Sequence, residues 1–221
     1  MGLRSVVAKP VEVAARVLGY DLVDAPGPIN GHRSAIPAKF IDPGPNDKAH
    51  FACGETLFDG WTNMDFGDSA AGRAAKPDAV FYRVDLLKPL PFADGVFRLA
   101  FAEDFLEHLI QADSLLFLSE ARRVLKPGGV LRLSFPGLEG VLKRHFRGPD
   151  YGDVFKGREE AYELWGHVHF YSKEELATVA RHLGFSDVRF CGFGESEVEE
   201  LRGIDGRPTQ ADMNTYAELV R

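Results

Sequence analysis

The chain has 221 residues, 45% of them hydrophobic and 27% charged, which suits one domain with a packed core and excludes wholesale disorder. A formal charge of −7 opposes nonspecific attraction to nucleic acid or to an anionic membrane, and no apolar run approaches the roughly 20 residues of a membrane-spanning helix. Cys53 and Cys191 are too few for a disulfide framework, and with no secretory apolar block between Val6 and Leu18 they are expected to be free thiols in a cytoplasmic protein.

Residues 1–48 begin with a short amphipathic helix pattern, Val13, Ala14, Val17 and Leu18 falling on one face, and continue through Pro26, Pro28, Pro37, Pro43 and Pro45. They form an expected lid or wrap ahead of one domain over 49–221. From His50 onward, short apolar runs alternate with helical patterns, which predicts an α/β sheet with parallel strands. Strands are expected at His50–Cys53, Thr62–Asp65, Val80–Val84, Phe97–Phe101, Val130–Phe135, Asp187–Cys191 and Thr215–Val220. The first interval is too short for a crossover helix, so a turn or a helical stub is expected there.

Asp113 is placed to cap a helix whose stripe is Phe117, Ala121, Val124 and Leu125, and Gly128 and Gly129 permit the reversal into the next strand. Residues 137–171 form an expected insertion, helical at Leu138, Val141 and Leu142 and locally basic through Lys143, Arg144, His145, Arg147, Lys156 and Arg158. Ser172 and Glu175 have capping-box spacing, and Leu176, Val179, Ala180 and Leu183 follow at helical period before Gly184.

In open α/β sheets ligands bind beyond the carboxyl ends of the strands, which here are followed or closed by Gly54, Asp65, Asp85 and Glu103. The turn after the first strand lacks the G-x-G-x-x-G cradle, so a dinucleotide, and with it a nicotinamide oxidoreductase, is disfavoured. Asp65 can accept hydrogen bonds from both hydroxyls of a ribose. Asp85 and the following Leu86 offer an adenine one side-chain acceptor and one backbone N–H.

The runs Cys53-Gly54, Gly60-Trp61-Thr62-Asn63-Met64-Asp65, Leu90-Pro91-Phe92-Ala93-Asp94-Gly95-Val96-Phe97, Leu106-Glu107-His108-Leu109 and Glu120-Ala121-Arg122-Arg123-Val124-Leu125-Lys126-Pro127-Gly128-Gly129 resemble a class I S-adenosylmethionine-dependent methyltransferase over residues 48–221. The resemblance implies a Rossmann-like, seven-stranded, mostly parallel sheet flanked by helices, with the last strand antiparallel. It implies S-adenosyl-L-methionine held by Ala52, Cys53 and Gly54 after the first strand, Asp65 at the ribose, Asp85 and Leu86 at the adenine, and Ala102 and Glu103 beside the sulfonium. Two positions depart from the pattern: Ala52 stands for the usual first glycine of the loop, and Arg98 for the usual Asp after Phe.

For a hydroxyl acceptor a base must take a proton. His108, after the fourth strand, is the first candidate and His167 the second, within Trp165-Gly166-His167-Val168-His169-Phe170-Tyr171, where His169 is a near-equivalent. Packing alone is the competing role for these histidines, and core filling for Trp165, Phe170 and Tyr171. The expected activity is methyl transfer to a small-molecule or glycan acceptor, preferably oxygen, with neither nucleic acid nor membrane as partner. The alternatives are a noncatalytic scaffold or binding protein, and a metal-assisted O-methyltransferase holding a divalent ion on Asp104, Glu107 and His108, at i, i+3 and i+4, with His167 or His169.

Overall fold

Residues 40–221 are described by the computed structural model, and their seven strands form one sheet in the order β3-β2-β1-β4-β5-β7-β6. The strands are β1 (Lys48–Phe51), β2 (Thr62–Asp65), β3 (Phe81–Arg83), β4 (Phe97–Glu103), β5 (Leu125–Pro136), β6 (Asp187–Cys191) and β7 (Asn214–Val220). All seven fall where the apolar runs place them. β1 to β5 pair in parallel, and β7 lies between β5 and β6, antiparallel to both. The expected amphipathic helix at Val13–Leu18, and most of the expected lid, lie outside the described residues.

Strand order reverses between β1 and β4, and both are buried, as central parallel strands must be. Helices α2 (Gln111–Val124) and α5 (Lys173–His182) supply Phe117, Ala121, Leu176 and Ala180 to a core shared with Phe51, Ala100, Leu131, Leu133 and Leu219. On the opposite face Leu99, Phe101 and Val130 are packed against Trp61 and Leu201, which come from irregular chain. His50 stacks there on Phe58 and Phe101, with ring centroids 4.3 and 5.4 Å apart. Residues 52–61 carry no helix, as the short interval requires, so turns replace a helical layer on this side. The short α1 (Ala70–Ala75) packs on that turn, its Gly72 against Glu55 and Leu57.

A buried ion group fastens residues 192–206 to the same face. Arg132, in the middle of β5 and fully buried, places Nη2 2.6 Å from Asp205 Oδ2 and Nη1 3.3 Å from Glu218 Oε1. The pairing offsets the desolvation of three charges; removal of Arg132 would leave two buried carboxylates unpaired, and removal of Asp205 would leave the guanidinium with Glu218 alone.

The Arg-Val-Leu-Lys-Pro-Gly-Gly run proves to be a strand irregularity. Leu125 pairs with Phe97 and Val130 with Leu99, so residues 126–129 bulge from the ladder and β5 starts earlier than the apolar run suggests. Gly128 has φ 76°, and a Cβ on Gly129 would lie 2.8 Å from the Lys126 carbonyl oxygen and 2.9 Å from that of Arg98. Helix α2 starts from Ile110 rather than Asp113, which sits in its first turn, where a carboxylate suits the helix dipole. At α5 the Ser172 hydroxyl accepts from the Glu175 amide at 3.0 Å, while the Glu175 carboxylate reaches Gln111 and His169 instead of closing the box. The insertion forms α3 (Leu138–His145), α4 (Tyr151–Arg158) and a π-helical turn at Glu159–Glu163.

Candidate active site

The carboxyl tips of β1, β2 and β4 surround a cavity of about 600 Å³. The chain leaves β1 through Ala52 at φ 49° and Gly54 at φ 50°, a left-handed reversal that turns it over the tip of β2. Asp65, closing β2, clamps that turn: its Oδ2 accepts from the Gly54 amide at 2.9 Å, and its Oδ1 from the Gly67 amide at 2.8 Å. A carboxylate has about four acceptor sites, so Asp65 keeps capacity for further donors. Asp85 accepts from the Leu87 amide at 3.0 Å and pairs with Lys88 at 3.1 Å. Leu86, Phe66 and Phe105 supply apolar wall.

Of the expected cofactor residues, Ala52, Asp65, Asp85 and Leu86 line this cavity. Cys53 is buried behind it with Sγ 3.9 Å from Ser69 Oγ, and burial pushes its thiol up to about 11. Gly54 spends its amide on Asp65, and Ala102 is buried in the sheet. Glu103 turns to the other side, where its two oxygens accept from the Gly206 amide at 2.9 and 3.1 Å, and burial raises its pKa. β4 ends at Glu103, two residues beyond the expected Phe101, and the next residue, Asp104, at φ 51°, lines the cavity. Consecutive residues at a strand tip point to opposite sides, so the two acids part there.

Asp104 Oδ2 is 2.9 Å from Arg207 Nε, whereas Oδ1 is buried without a hydrogen-bond partner among the described residues. Burial raises its pKa, against the opposing pull of Arg207. Arg98 lies at the start of β4, remote from the carboxyl tips, and pairs with Asp47 at 3.2 Å and Glu200 at 2.6 Å. That departure from the family pattern therefore serves the far end of the sheet.

A second cavity, of about 590 Å³, opens between the insertion and the β4 tip, and Asp104 and His108 line both spaces. His108 ends the 3-10 turn Leu106–His108, with its ring centroid 5.0 Å from that of His167. The two segments meet because the Glu107 carbonyl accepts from the Val168 amide at 2.8 Å and the His169 amide at 3.3 Å. His167 Nδ1 lies 2.8 Å from the Ala161 carbonyl in the π-helical turn; donation there leaves Nε2 as the ring acceptor. Burial lowers the His167 pKa, favouring the neutral ring.

Glu107 is 1% exposed; its Oε2 has no hydrogen-bond partner among the described residues, and burial pushes its carboxyl up to about 8. Donor atoms of Glu107, His108 and His167 all lie within 4.8 Å of one another. His169 instead places Nε2 3.1 Å from Glu175 and its ring against Tyr171. Phe170 and Tyr171 are core residues, while Trp165 is 68% exposed at the mouth of the second cavity. No helix among the described residues is long and apolar enough to cross a membrane.

Residues 50–133 match the family model described as a methyltransferase domain. No curated protein matches the sequence. Among solved structures the chain is similar to a possible exported protein from Bordetella parapertussis, with 16% identity over 80% of this chain and 62% of that one, at a TM-score of 0.53. It is also similar to an S-adenosylmethionine-dependent methyltransferase from Mesorhizobium loti, with 18% identity, 80% and 92% of the two chains and a TM-score of 0.53. A third likeness is to an S-adenosylmethionine-dependent methyltransferase from Archaeoglobus fulgidus, with 15% identity, 80% and 87% coverage and a TM-score of 0.52. The chain thus spans less than two thirds of the Bordetella protein but most of the other two.

Proposed function

We propose that the chain is a class I, S-adenosylmethionine-dependent methyltransferase that moves the methyl group to an oxygen of a small-molecule or glycan acceptor. The observation that carries this reading is the meeting of two cavities at Asp104 and His108, one suited to a nucleoside and one lined by His108, His145 and His167. S-adenosylmethionine supplies an electrophilic methyl group on a sulfonium.

The first cavity fits that cofactor: its volume lies within the range of small-ligand sites, Asp65 offers acceptors to ribose hydroxyls, and Leu86, Phe66 and Phe105 suit a purine. In this reading Asp85 and Leu86 hold the adenine edge, with Ala52, Gly54 and the buried Cys53 and Ala102 shaping the floor. Asp104, rather than Glu103, stands by the positive centre and favours it electrostatically. The acceptor occupies the second cavity, where His167 Nε2 orients its hydroxyl and His108 takes the proton and passes it to solvent across its exposed edge. The net charge of −7 supports an acceptor other than nucleic acid. The free thiols of Cys53 and Cys191 support a reducing, cytoplasmic setting.

Calorimetry with S-adenosylmethionine and S-adenosylhomocysteine tests the reading. Micromolar binding that disappears in Asp65→Ala is the expected result; no heat with either compound would instead favour a noncatalytic scaffold. A second reading, metal assistance, is favoured by the closeness of Glu107, His108 and His167 and by the unpartnered Glu107 Oε2. An ion there would acidify the hydroxyl, with His108 as a ligand instead of a base. Activity abolished by chelation and restored by Mn²⁺ or Zn²⁺ selects the ion; indifference to chelation selects the imidazole.

A further inference from the structure

We propose that the cofactor cavity recognises the adenosyl part of its ligand and the positive charge next to it, and makes no use of the amino-acid carboxylate. This rests on the methyl-transfer reading above and concerns the same site.

Four backbone donors of the turn after β1, where a carboxylate tail would lie, are engaged within the protein. The Cys53 amide donates to the Met64 carbonyl at 3.1 Å, that of Gly54 to Asp65 at 2.9 Å, that of Thr56 to the Cys53 carbonyl at 2.9 Å, and that of Phe58 to Asn63 at 2.8 Å. An anion is ordinarily met by amides that point outward from a glycine-rich turn into the start of a helix. Here residues 52–61 run straight into β2 with no helix between. The neighbouring short helix, α1, already receives a carboxylate of the protein itself, since the Gly72 amide donates to Glu55 Oε2 at 2.7 Å. Glu55 thus satisfies that amide from within the protein.

Charge points the same way. The carboxylates lining the cavity are Asp65, Asp85 and Asp104. The neighbouring cations are turned to other partners: Lys88 pairs with Asp85 at 3.1 Å, and Arg83 Nε donates to the Phe66 carbonyl at 2.8 Å. Arg207 likewise pairs with Asp104 at 2.9 Å, so among the described residues Asp65 is the lining carboxylate without a cation partner, and its charge favours a sulfonium or ammonium over a carboxylate. Ala52 adds a methyl group where the usual pattern leaves space beside a glycine, which further narrows the approach to this turn.

The test compares ligands on the full chain by calorimetry: S-adenosylhomocysteine, 5′-methylthioadenosine, S-adenosylmethionine and its decarboxylated analogue. A carboxylate held by charge-assisted hydrogen bonds would be worth about a hundredfold in affinity. The expectation here is that 5′-methylthioadenosine binds within about tenfold of S-adenosylhomocysteine, and that the decarboxylated analogue binds at least as tightly as S-adenosylmethionine. S-adenosylhomocysteine binding more than about tenfold tighter than 5′-methylthioadenosine, or S-adenosylmethionine tighter than its decarboxylated analogue, overturns the proposal. Absence of heat with all four compounds overturns the methyl-transfer reading instead.

Discussion

The Gly54 amide donates to Asp65 Oδ2 at 2.9 Å, tying the turn that leaves β1 to the tip of the adjacent β2. One side chain thereby shapes the cavity and presents its remaining acceptor sites to a ligand. Asp65→Asn keeps the size but removes the charge and turns one acceptor into a donor, so one of the two clamps to Gly54 and Gly67 is lost. It is expected to weaken S-adenosylhomocysteine binding by about tenfold to a hundredfold and to lower the melting temperature modestly. Calorimetry paired with thermal melting checks both halves, and unchanged affinity would remove Asp65 from the site.

Asp205 and Arg132 form a fully buried pair that anchors residues 192–206 to the sheet. Asp205→Ala strands the guanidinium with Glu218 as its remaining carboxylate and is expected to cost about 3–5 kcal/mol in denaturant unfolding. Because Gly206 holds Glu103 and Arg207 holds Asp104, the same change should loosen the strand-four tip. An unfolding midpoint equal to that of the native protein would show that the pair anchors nothing.

His50 stacks on both Phe58 and Phe101, with its pKa lowered to about 4 by burial. The unfolded chain binds a proton on this residue near pH 6.5, which the folded protein resists down to about pH 4. The contribution is therefore present above pH 6.5 and lost as pH falls through that window, a change on the order of 3 kcal/mol. His50→Phe fits the same stack and should flatten this part of the stability profile. Parallel profiles for the two proteins between pH 7 and pH 4 would contradict the assignment.

Gly129 has no room for a side chain, since a Cβ would meet two backbone carbonyls at 2.8 and 2.9 Å. Gly129→Ala should cost about 1–3 kcal/mol through displacement of the β4–β5 bulge. Gly60→Ala meets no atom within 4 Å and carries only the cost of φ 73°, about 1–2 kcal/mol. Alanine at Gly129 should therefore lower the melting temperature at least as far as alanine at Gly60, and should also disturb the amide signals of Phe97 and Leu125, which Gly60→Ala should leave alone.

Much of the architecture was legible because its signals are local. Ser172 and Glu175 announce the start of α5, and the apolar runs mark every strand, since side-chain period and turn chemistry act over a few residues. Asp65 and Asp85 were found as strand-tip acids. Asp104 is legible in sequence only as part of a metal alternative, because its neighbour Glu103 is drawn away by the Gly206 amide, a partner 103 residues distant, and Asp104 turns into the cavity at φ 51°. His169 is equivalent to His167 in sequence, yet the Glu107 carbonyl and the π-helical turn aim one ring into the second cavity and leave the other on Tyr171.

The amino-acid sequence by itself determined the strands, the helices on the first face and the methyltransferase signature, because neighbours along the chain are enough to select them. Tertiary structure alone decided that Glu103 bonds Gly206, that Asp104 and His108 join two cavities, and that residues 192–206 cover a face through Arg132 and Asp205. Those outcomes depend on segments remote in sequence competing for the same donors and charges, and only the folded arrangement settles which partner each one meets.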